Sequence, residues 1–163
     1  KKEYQRWMSS YNYSHCVVVQ PSPQQWFSRD EICQRLRKIN FQLNKHFLKP
    51  SFNKWKNEDK FWLIGFVEGE RLLRNIHYHF LLYSPKIAYR SKQDFTNANV
   101  TNFIQTEWCN LSSINCCTFE NRYDLHKVLH ITENTNNNAS VFYASKKFNP
   151  KSSNDNLIFI PNR

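Results

Sequence analysis

Two histidines and one glutamate are the most reactive combination of residues in this chain. His77 and His79 lie one residue apart in the apolar run "NIHYHFLLYS", and Glu68 precedes them in "KFWLIGFVEGE". Side chains alternate along a β-strand, so both imidazoles face the same side if this run is a strand. Imidazole and carboxylate ligands suit divalent cations, and three ligands leave coordination positions open for water or a phosphate oxygen. The set therefore predicts a metal that acts as a Lewis acid.

The position of the glutamate depends on how two strands pair. The two apolar runs predict an antiparallel hairpin joined by the basic loop "GERLLRN", of about seven or eight residues. If Glu68 lies opposite His77, Phe66 lies opposite His79, and the Cβ atoms of Glu68 and His77 are roughly 5 Å apart. The simpler alternative is a surface or hydrogen-bonded histidine. We keep that interpretation for the histidines without comparable partners, which are His15, His46, His126 and His130.

A tyrosine with two lysine neighbours is a second candidate. In a helix, at about 100° per residue, Tyr143 of "SVFYASKKF" turns away from the packing stripe. That stripe consists of Val141, Ala144, Ser145 and Phe148. Tyr143 is then either an amphipathic side chain on a solvated face or a nucleophile. A phenol with a pKa of about 10 attacks poorly at neutral pH, but a metal on a phosphate and a nearby ammonium, from Lys146 or Lys147, would stabilise the developing charges.

The segments that must position these residues begin with a strand and a long helix. "YSHCVVVQPSP" predicts a first strand over roughly 13–20. "SRDEICQRLRKINFQLNKHFL" predicts an amphipathic helix, because Ser28 and Glu31 have capping-box spacing. Its apolar positions recur at helical intervals: Ile32, Leu36, Ile39, Leu43 and Phe47. On the histidine strand, the opposite face is predicted to be core and consists of Ile76, Tyr78, Phe80 and Leu82.

The second half of the chain completes the order of elements. A helix over about 96–110 is predicted by apolar residues at helical spacing: Val100, Phe103, Ile104 and Trp108. "INCCTFE" predicts a strand, "DLHKVLHITE" is compatible with a strand or a helix, and "NTNNNAS" is a loop that can cap a helix from near Ser140. The order β-α-β-β-α-β is the split β-α-β arrangement of ferredoxin-like and RRM-like domains. It predicts an α+β fold with a central antiparallel sheet, two helices on one face, and the active site on the open face.

The length and composition of the chain limit the classes of protein to which it can belong. The 163 residues contain neither a repeat nor a low-complexity linker, so we expect one domain over 1–163, and the opening on Lys1 rather than Met suggests a fragment of a larger protein. The net charge of +10 and the 16% aromatic content favour a nucleic-acid partner, although basic charge can also serve solubility alone.

With no run of roughly 18 apolar residues and no signal-peptide pattern, we expect neither membrane insertion nor secretion. Five cysteines without CxxC spacing favour a reducing compartment and disfavour structural zinc.

The motifs and their order resemble those of a known family. "HYH" followed by apolar residues is similar to the histidine-hydrophobe-histidine motif of the HUH endonucleases. "YASK" is similar to the Tyr-x-x-Lys motif of their replication-initiator (Rep) branch, from circular single-stranded DNA viruses and rolling-circle plasmids. Glu68 lies nine residues before His77, as the metal-binding glutamate does in viral Rep proteins, and the resemblance covers about 13–150. The sequence differs from the family's pattern in the first strand, where it has "CVVVQPSP" instead of the Phe-Thr-Leu-Thr/Asn type of segment.

The resemblance implies a catalytic mechanism. It implies a Mg²⁺ or Mn²⁺ site whose ligands are Glu68, His77 and His79. Tyr143 would be the nucleophile, with Lys146 preferred to Lys147 as the residue that orients the phosphate or the metal site. The reaction is then nicking and joining of single-stranded DNA through a 5′-phosphotyrosine link, and the freed 3′-hydroxyl primes rolling-circle replication.

The resemblance also implies a partner and a location. The partner would be single-stranded DNA at a replication origin, as a plain strand or a stem-loop, together with a helicase domain or helicase partner. Lys and Arg of "GERLLR" and "YRSK" would hold phosphates, while Trp62 and other aromatic residues would stack on bases. The location would be the cytoplasm for a bacterial protein and the host nucleus for a viral one.

Other functions use parts of the same pattern. A single-tyrosine HUH transposase or a relaxase would use the same site for transposition or conjugation. An RRM-like module would bind single strands without chemistry, but it needs exposed aromatic residues on the central strands. A histidine-triad nucleotide hydrolase needs a histidine at position 81, which is Leu81, and a non-haem iron oxygenase would leave Tyr143 without a role. We therefore expect a Rep-type endonuclease.

Overall fold

The computed structural model describes residues 2–20, 28–48, 50–68, 76–86, 96–112, 128–146 and 157–161. Within them an open five-stranded antiparallel sheet carries four α-helices, so the expected α+β class with a central antiparallel sheet is confirmed. The strands are β1 (Tyr13–Val19), β2 (Trp62–Glu68), β3 (His77–Tyr83), β4 (Leu129–Glu133) and β5 (Leu157–Ile160). The helices are α1 (Lys2–Ser9), α2 (Arg29–Leu48), α3 (Asn97–Ser112) and α4 (Asn137–Ala144). Two short 3₁₀ helices, Pro50–Lys54 and Asn57–Asp59, lie between α2 and β2.

The sheet places the histidine strand at its centre. Its order is β4-β1-β3-β2-β5, and every neighbouring pair is antiparallel. Gly65 of β2 pairs with Phe80 of β3, and a Cβ at Gly65 would meet the Phe80 ring and lie 2.7 Å from the backbone oxygen of His79. Because glycine has no side chain, the strand that carries Glu68 can pair closely with the histidine strand here.

The long helix and its neighbours lie where the sequence pattern predicts them. α2 begins with the expected capping box: the Ser28 N–H donates to Glu31 Oε2 at 2.7 Å, and the Glu31 N–H donates to Ser28 Oγ at 3.2 Å. The bounds of β1 and α3 agree with the predicted segments to within two residues. The predicted apolar positions of α2 are all buried: Ile32, Leu36, Ile39, Leu43 and Phe47.

Several other segments differ from the prediction or lie beyond the description. "DLHKVLHITE" contains a strand, since Leu129–Glu133 is β4 and pairs with β1. The strand predicted for "INCCTFE" and the loops "GERLLR" and "YRSK" lie outside the described residues. The sequence interpretation missed α1 and β5. The first of these has a visible signal, because Tyr4, Trp7, Met8 and Tyr11 have helical spacing.

The second face of the sheet is partly covered, which corrects the expectation of one free face: α1 and α4 lie over β2 and β3, whereas His130 and Thr132 of β4 are exposed. α2 and α3 pack on the first face, against the predicted core residues Tyr78, Phe80 and Leu82. A second buried cluster lies on the other face and consists of Met8, Tyr13, Trp62, Ile64, Phe66, Leu81, Val141 and Ala144. The physical reason is that β2 is apolar on both sides, and such a strand must be shielded from water on both. α1 and α4 provide the second shield, and the candidate site lies beside it, where β2 ends and β3 begins.

Two further observations concern the environment of the chain. None of the described helices combines the length and apolar character that crossing a membrane requires. The described cysteines differ in state, since Cys16 and Cys33 are free thiols and Cys109 is disulfide-bonded. That disulfide is unexpected for the reducing compartment that the cysteine count favours.

Candidate active site

The pairing of β2 with β3 brings the glutamate to the histidine face. Glu68 pairs with His77, and Phe66 pairs with His79, which is the register that the sequence argument required. The other even-numbered residues of β2 belong to the second buried cluster, so alternation puts Glu68 on that face. Leu81 of β3 is in the same cluster, and alternation therefore puts both histidines there too.

The carboxylate of Glu68 contacts the imidazole of His79. Glu68 Oε2 lies 3.2 Å from His79 Nε2, and the two side chains are 16% and 10% exposed. The pair is thus largely shielded from water. The expectation that the histidines lie on an open face is wrong for His79.

Burial also determines the charge of His79. Desolvation lowers the pKa of the His79 imidazole below its usual value; the Glu68 carboxylate opposes this shift, and His77 and Lys146 add to it. At neutral pH His79 is therefore a neutral imidazole. This is the form in which a ring nitrogen can bind a metal.

Lys146 joins the carboxylate to the candidate nucleophile. Its Nζ lies 3.5 Å from Glu68 Oε2 and 4.0 Å from the centroid of the Tyr143 ring. The side chain is one-third exposed, so its contact with Glu68 is only partly screened by solvent. Lys147, the alternative from the sequence, lies outside the described residues.

Tyr143 lies against His79 and remains open to solvent. Its ring centroid is 5.3 Å from that of His79, in an edge-on arrangement with an interplanar angle of 81°. The residue is 53% exposed, whereas Val141 and Ala144 on the same helix are buried. The helix thus packs on the predicted stripe and turns Tyr143 away from it, although Phe148 of that stripe lies outside the described residues.

The helix that carries Tyr143 is placed earlier in the chain than predicted. α4 begins at Asn137 instead of near Ser140, and the Asn136 side chain caps it by accepting the Ala139 N–H at 3.1 Å. It ends at Ala144, so Lys146 is not part of the helix. The Lys146 N–H donates to the Tyr143 carbonyl oxygen at 3.3 Å, and this turn keeps the lysine beside the tyrosine.

Two asparagines fix the start of α4 on the sheet. Asn137 Nδ2 donates to the Tyr11 carbonyl at 2.8 Å, and its Oδ1 accepts the Tyr13 N–H at 3.2 Å. Asn134 Nδ2 donates to the Tyr13 carbonyl at 2.9 Å, and Ser140 Oγ donates to Asn134 Oδ1 at 2.7 Å. The sequence interpretation treated this asparagine-rich stretch as a loop and missed its role. The signal was the run of amides between a strand and a helix, since amides can replace the backbone partners of a turn.

The three predicted metal ligands share a face but are not gathered about one point. The ring centroids of His77 and His79 are 6.2 Å apart with an interplanar angle of 23°. Within the described part of the chain, no three His, Cys, Asp or Glu side chains form a group that could hold a metal. The contact between Glu68 and His79 is the part of the predicted set that the described conformation brings together.

Trp62, the aromatic residue that we expected to stack on bases, does not join the site. Trp62 is 5% exposed and stacks on Tyr83 with ring centroids 5.0 Å apart. A buried ring cannot stack on a base, so the role expected for Trp62 is wrong. The physical cause is the second cluster, which the alternation of a single strand does not reveal.

Two of the remaining histidines have ordinary partners, as the simpler interpretation requires. His15 is fully buried, and its Nε2 lies 3.1 Å from the Asn97 carbonyl oxygen while its Nδ1 lies 2.8 Å from Ser14 Oγ. The His46 ring stacks on Phe103 at 4.8 Å. His126 lies outside the described residues.

A concave space borders the tyrosine. A cavity of about 410 Å³ reaches from Tyr143 and His79 along the sheet to Cys16 of β1 and Thr132 of β4. Its volume is in the range of about 300–1,000 Å³ that is typical of ligand pockets. A substrate held there would contact both Tyr143 and His79.

The arrangement brings a phenol, an ammonium, a carboxylate and a neutral imidazole together from different elements of the fold. A phenol can act as a nucleophile, and an ammonium beside it can stabilise negative charge on a phosphate. No protein-family model, curated protein or solved structure matches the chain.

Proposed function

We propose that this chain is a metal-dependent endonuclease that nicks and joins single-stranded DNA through a covalent 5′-phosphotyrosine intermediate, and that it initiates rolling-circle replication. The observation that supports this function is the series of contacts from Tyr143 to Lys146, from Lys146 to Glu68, and from Glu68 to His79. These residues come from β2, β3, α4 and the turn after α4, and they belong to the motifs that resemble those of HUH endonucleases of the Rep type.

Tyr143 is the proposed nucleophile. Its Oη attacks the phosphorus of a phosphodiester, an O–P bond forms, and the bond from phosphorus to the 3′ oxygen breaks. The phenolic proton passes to solvent, to which this residue is open, and the leaving oxygen takes up a proton to become a 3′-hydroxyl. The phosphotyrosine link keeps the phosphoester, so a second hydroxyl can reverse the reaction and join strands.

Glu68, His77 and His79 would hold the metal, Mg²⁺ or Mn²⁺. Carboxylate and imidazole are suitable donors for these ions, with Mn²⁺ the better match for imidazole. The 3.2 Å between Glu68 Oε2 and His79 Nε2 suits two adjacent ligands of one ion with bonds of about 2.1 Å. When bound, the metal supplies Lewis-acid polarisation of the phosphoryl oxygen.

The proposed partner is single-stranded DNA at a replication origin, with a helicase domain or partner to open the duplex. The net charge of +10 favours a polyanion. A non-catalytic RRM-like module is less well supported, because the aromatic rings in the interior of the sheet are buried: Trp62, Phe66, Tyr78 and Phe80. A transposase or a relaxase would use the same residues on a different DNA.

A denaturing gel with a single-stranded oligonucleotide and Mn²⁺ tests the nucleophile. We expect wild type to form a covalent adduct that survives denaturant, and Tyr143→Phe to form none while it still binds the oligonucleotide. Because Tyr143 is half-exposed, losing its hydroxyl should cost less than about 0.5 kcal/mol of stability. Tyr4→Phe, which removes the hydroxyl of another exposed tyrosine, is the matched control.

Two outcomes would contradict the assignment. An adduct with Tyr143→Phe would make another tyrosine the nucleophile, with Tyr89 and Tyr123 the next to test. Cleavage by wild type without any adduct would mean that water attacks instead of a tyrosine.

A further inference from the structure

An aromatic cavity lies at the opposite end of the second face from the candidate active site. Its volume is about 380 Å³, and it is lined by Trp7, Tyr11, Lys56, Asn57, Glu58, Trp62 and Phe159. Trp62 begins β2 and Glu68 ends it on the same face, so the two are roughly 20 Å apart at the rise of a β-strand. The cavity is therefore distinct from the site at Tyr143.

Two rings of this cavity keep much of their surface free. Trp7 is 44% exposed and Phe159 is 45% exposed. Buried Trp62 supports them, since its ring centroid lies 5.5 Å from that of Phe159 and 5.1 Å from that of Tyr11, which in turn lies 5.6 Å from Trp7. The exposed rings thus stand on a packed aromatic base, and a flat ligand can stack on them with little ordering cost.

The polar groups of the cavity suit a nucleotide. Lys56 lies 3.7 Å from Glu58, and its side chain is 81% exposed. An ammonium has three donors, so Lys56 can bind a phosphate while it keeps this contact. The Asn57 amide can donate and accept, and the Glu58 carboxylate can accept from an amino group on the edge of a base.

A second cavity continues the path next to the first. It has a volume of about 300 Å³, and its lining includes Tyr11, Tyr83, Ser84 and Lys86. Tyr11 lines both cavities, and each cavity also has an exposed lysine in its lining, Lys56 in the first and Lys86 in the second. A single strand repeats the complementary pair, a flat base and a phosphate, once per nucleotide.

We propose that these two cavities bind consecutive nucleotides of the strand, several nucleotides away from the phosphate that Tyr143 attacks. The identity of the strand as the substrate rests on the proposed function. One base stacks on Trp7 and Phe159, and the phosphates meet Lys56 and Lys86. The site adds affinity and fixes the position of the strand, and it takes no part in bond cleavage.

Fluorescence anisotropy without metal tests the site, with a labelled oligothymidylate of about 15 nucleotides, long enough to occupy both ends of the face. We expect Trp7→Ala and Phe159→Ala each to weaken binding about tenfold, since a base loses its stacking partner. Trp7→Phe, which keeps an aromatic face, should retain most of the affinity. Phe41→Ala, which removes a similarly exposed ring from α2 outside the cavity, should change nothing.

A second measurement does not depend on the packing of a ring. Lys56 is highly exposed, so Lys56→Ala should leave the fold intact and reduce the slope of log affinity against log salt by about one. An unchanged slope together with an unchanged affinity in Trp7→Ala would overturn the proposal. Equal losses in Trp7→Ala and Trp7→Phe would also overturn it, because packing instead of stacking would then explain the effect.

Adduct formation separates this proposal from the function on which it rests. At DNA concentrations well below the wild-type Kd, Trp7→Ala should form the phosphotyrosine adduct about tenfold more slowly, in proportion to its weaker binding, whereas Phe41→Ala should keep the wild-type rate. If wild type forms no adduct but Trp7→Ala still weakens binding, the nucleotide site stands and the proposed nuclease function fails. If the adduct forms and Trp7→Ala binds like wild type, the nuclease stands and the nucleotide site fails.

Discussion

Lys146 contacts both the proposed nucleophile and a proposed metal ligand. Its Nζ lies 4.0 Å from the Tyr143 ring centroid and 3.5 Å from Glu68 Oε2. A cation here stabilises the charge that develops during attack, so Lys146→Ala should slow adduct formation without abolishing it. We expect a loss of about 30- to 1,000-fold, equivalent to about 2–4 kcal/mol of transition-state stabilisation. Single-turnover rates from denaturing gels measure it.

The neighbouring lysine provides the control for this prediction. Lys147→Ala removes the same charge one residue further along the chain. We expect its rate to stay close to that of wild type. Equal losses in the two variants would contradict the choice of Lys146.

Glu68 and His79 are a poor target for truncation because both side chains are largely buried. Alanine at position 68 would leave His79 without its partner, so Glu68→Gln is the sharper variant. We expect Glu68→Gln to abolish cleavage and to weaken Mn²⁺ binding, measured by titration calorimetry, more than about tenfold. The metal-free protein should lose less than about 1 kcal/mol of stability, measured by urea unfolding.

Two histidine variants complete that test. His77→Gln combined with His79→Gln, which avoids truncating the buried side chain at position 79, should also abolish cleavage. His130→Ala, which removes an exposed histidine from β4, should leave Mn²⁺ binding and cleavage unchanged. Cleavage that survives the double substitution would remove these histidines from the metal site.

At the scale of elements, α4 depends on its docking contacts. It has eight residues, and helices shorter than about 12 residues are marginal on their own. Asn137 fixes its start on the backbone of Tyr11 and Tyr13, while Gln5 of α1 donates to Ser145 Oγ at 3.0 Å just after its end. These contacts position Tyr143 without touching it.

Asn137→Ala should therefore lower both stability and rate. The Tyr13 N–H and the Tyr11 carbonyl lose their partner, which should cost about 1–3 kcal/mol in urea unfolding. Adduct formation should slow as well, because the helix is no longer held in register with His79. Asn138→Ala, an exposed neighbour on the same helix, is the control. Lost stability with an unchanged rate would show that other contacts suffice to place Tyr143.

The elements that the sequence predicted are those with strong local signals. The capping-box spacing of Ser28 and Glu31 predicts the start of α2. The alternation of side chains along the segment that contains His77 and His79 predicts the two faces of β3. β5 was missed because its four residues are too few for alternation to be detected. α1 was missed although its apolar residues have helical spacing, because they are few in a mostly polar segment of eight residues. The amide contacts of Asn137 escaped because hydrogen bonds between residues distant in sequence leave no local pattern.

At the scale of the whole molecule, the partly covered second face is what the pattern of single strands could not predict. The residues of β2 are apolar on both sides, but only the complete fold shows that α1 and α4 lie over this face. The two helices bury Trp62, whereas Trp7, Tyr143 and Phe159 remain exposed. The face therefore has reactive groups at one end and aromatic cavities at the other.

The charge of the whole chain sets the last prediction. Lys and Arg number 23 against 13 Asp and Glu, and each phosphate contact by a cation releases counterions. If the protein contacts about five phosphates of the strand, its affinity for the strand should fall about 100-fold when the salt concentration rises about fourfold. Tyr143→Phe allows this to be measured by anisotropy without adduct formation. Lys146→Ala in the same background should remove about one unit of slope, so a larger slope must come from cations outside the catalytic group. A flat dependence would mean that the basic charge serves solubility alone, and it would contradict a nucleic-acid partner.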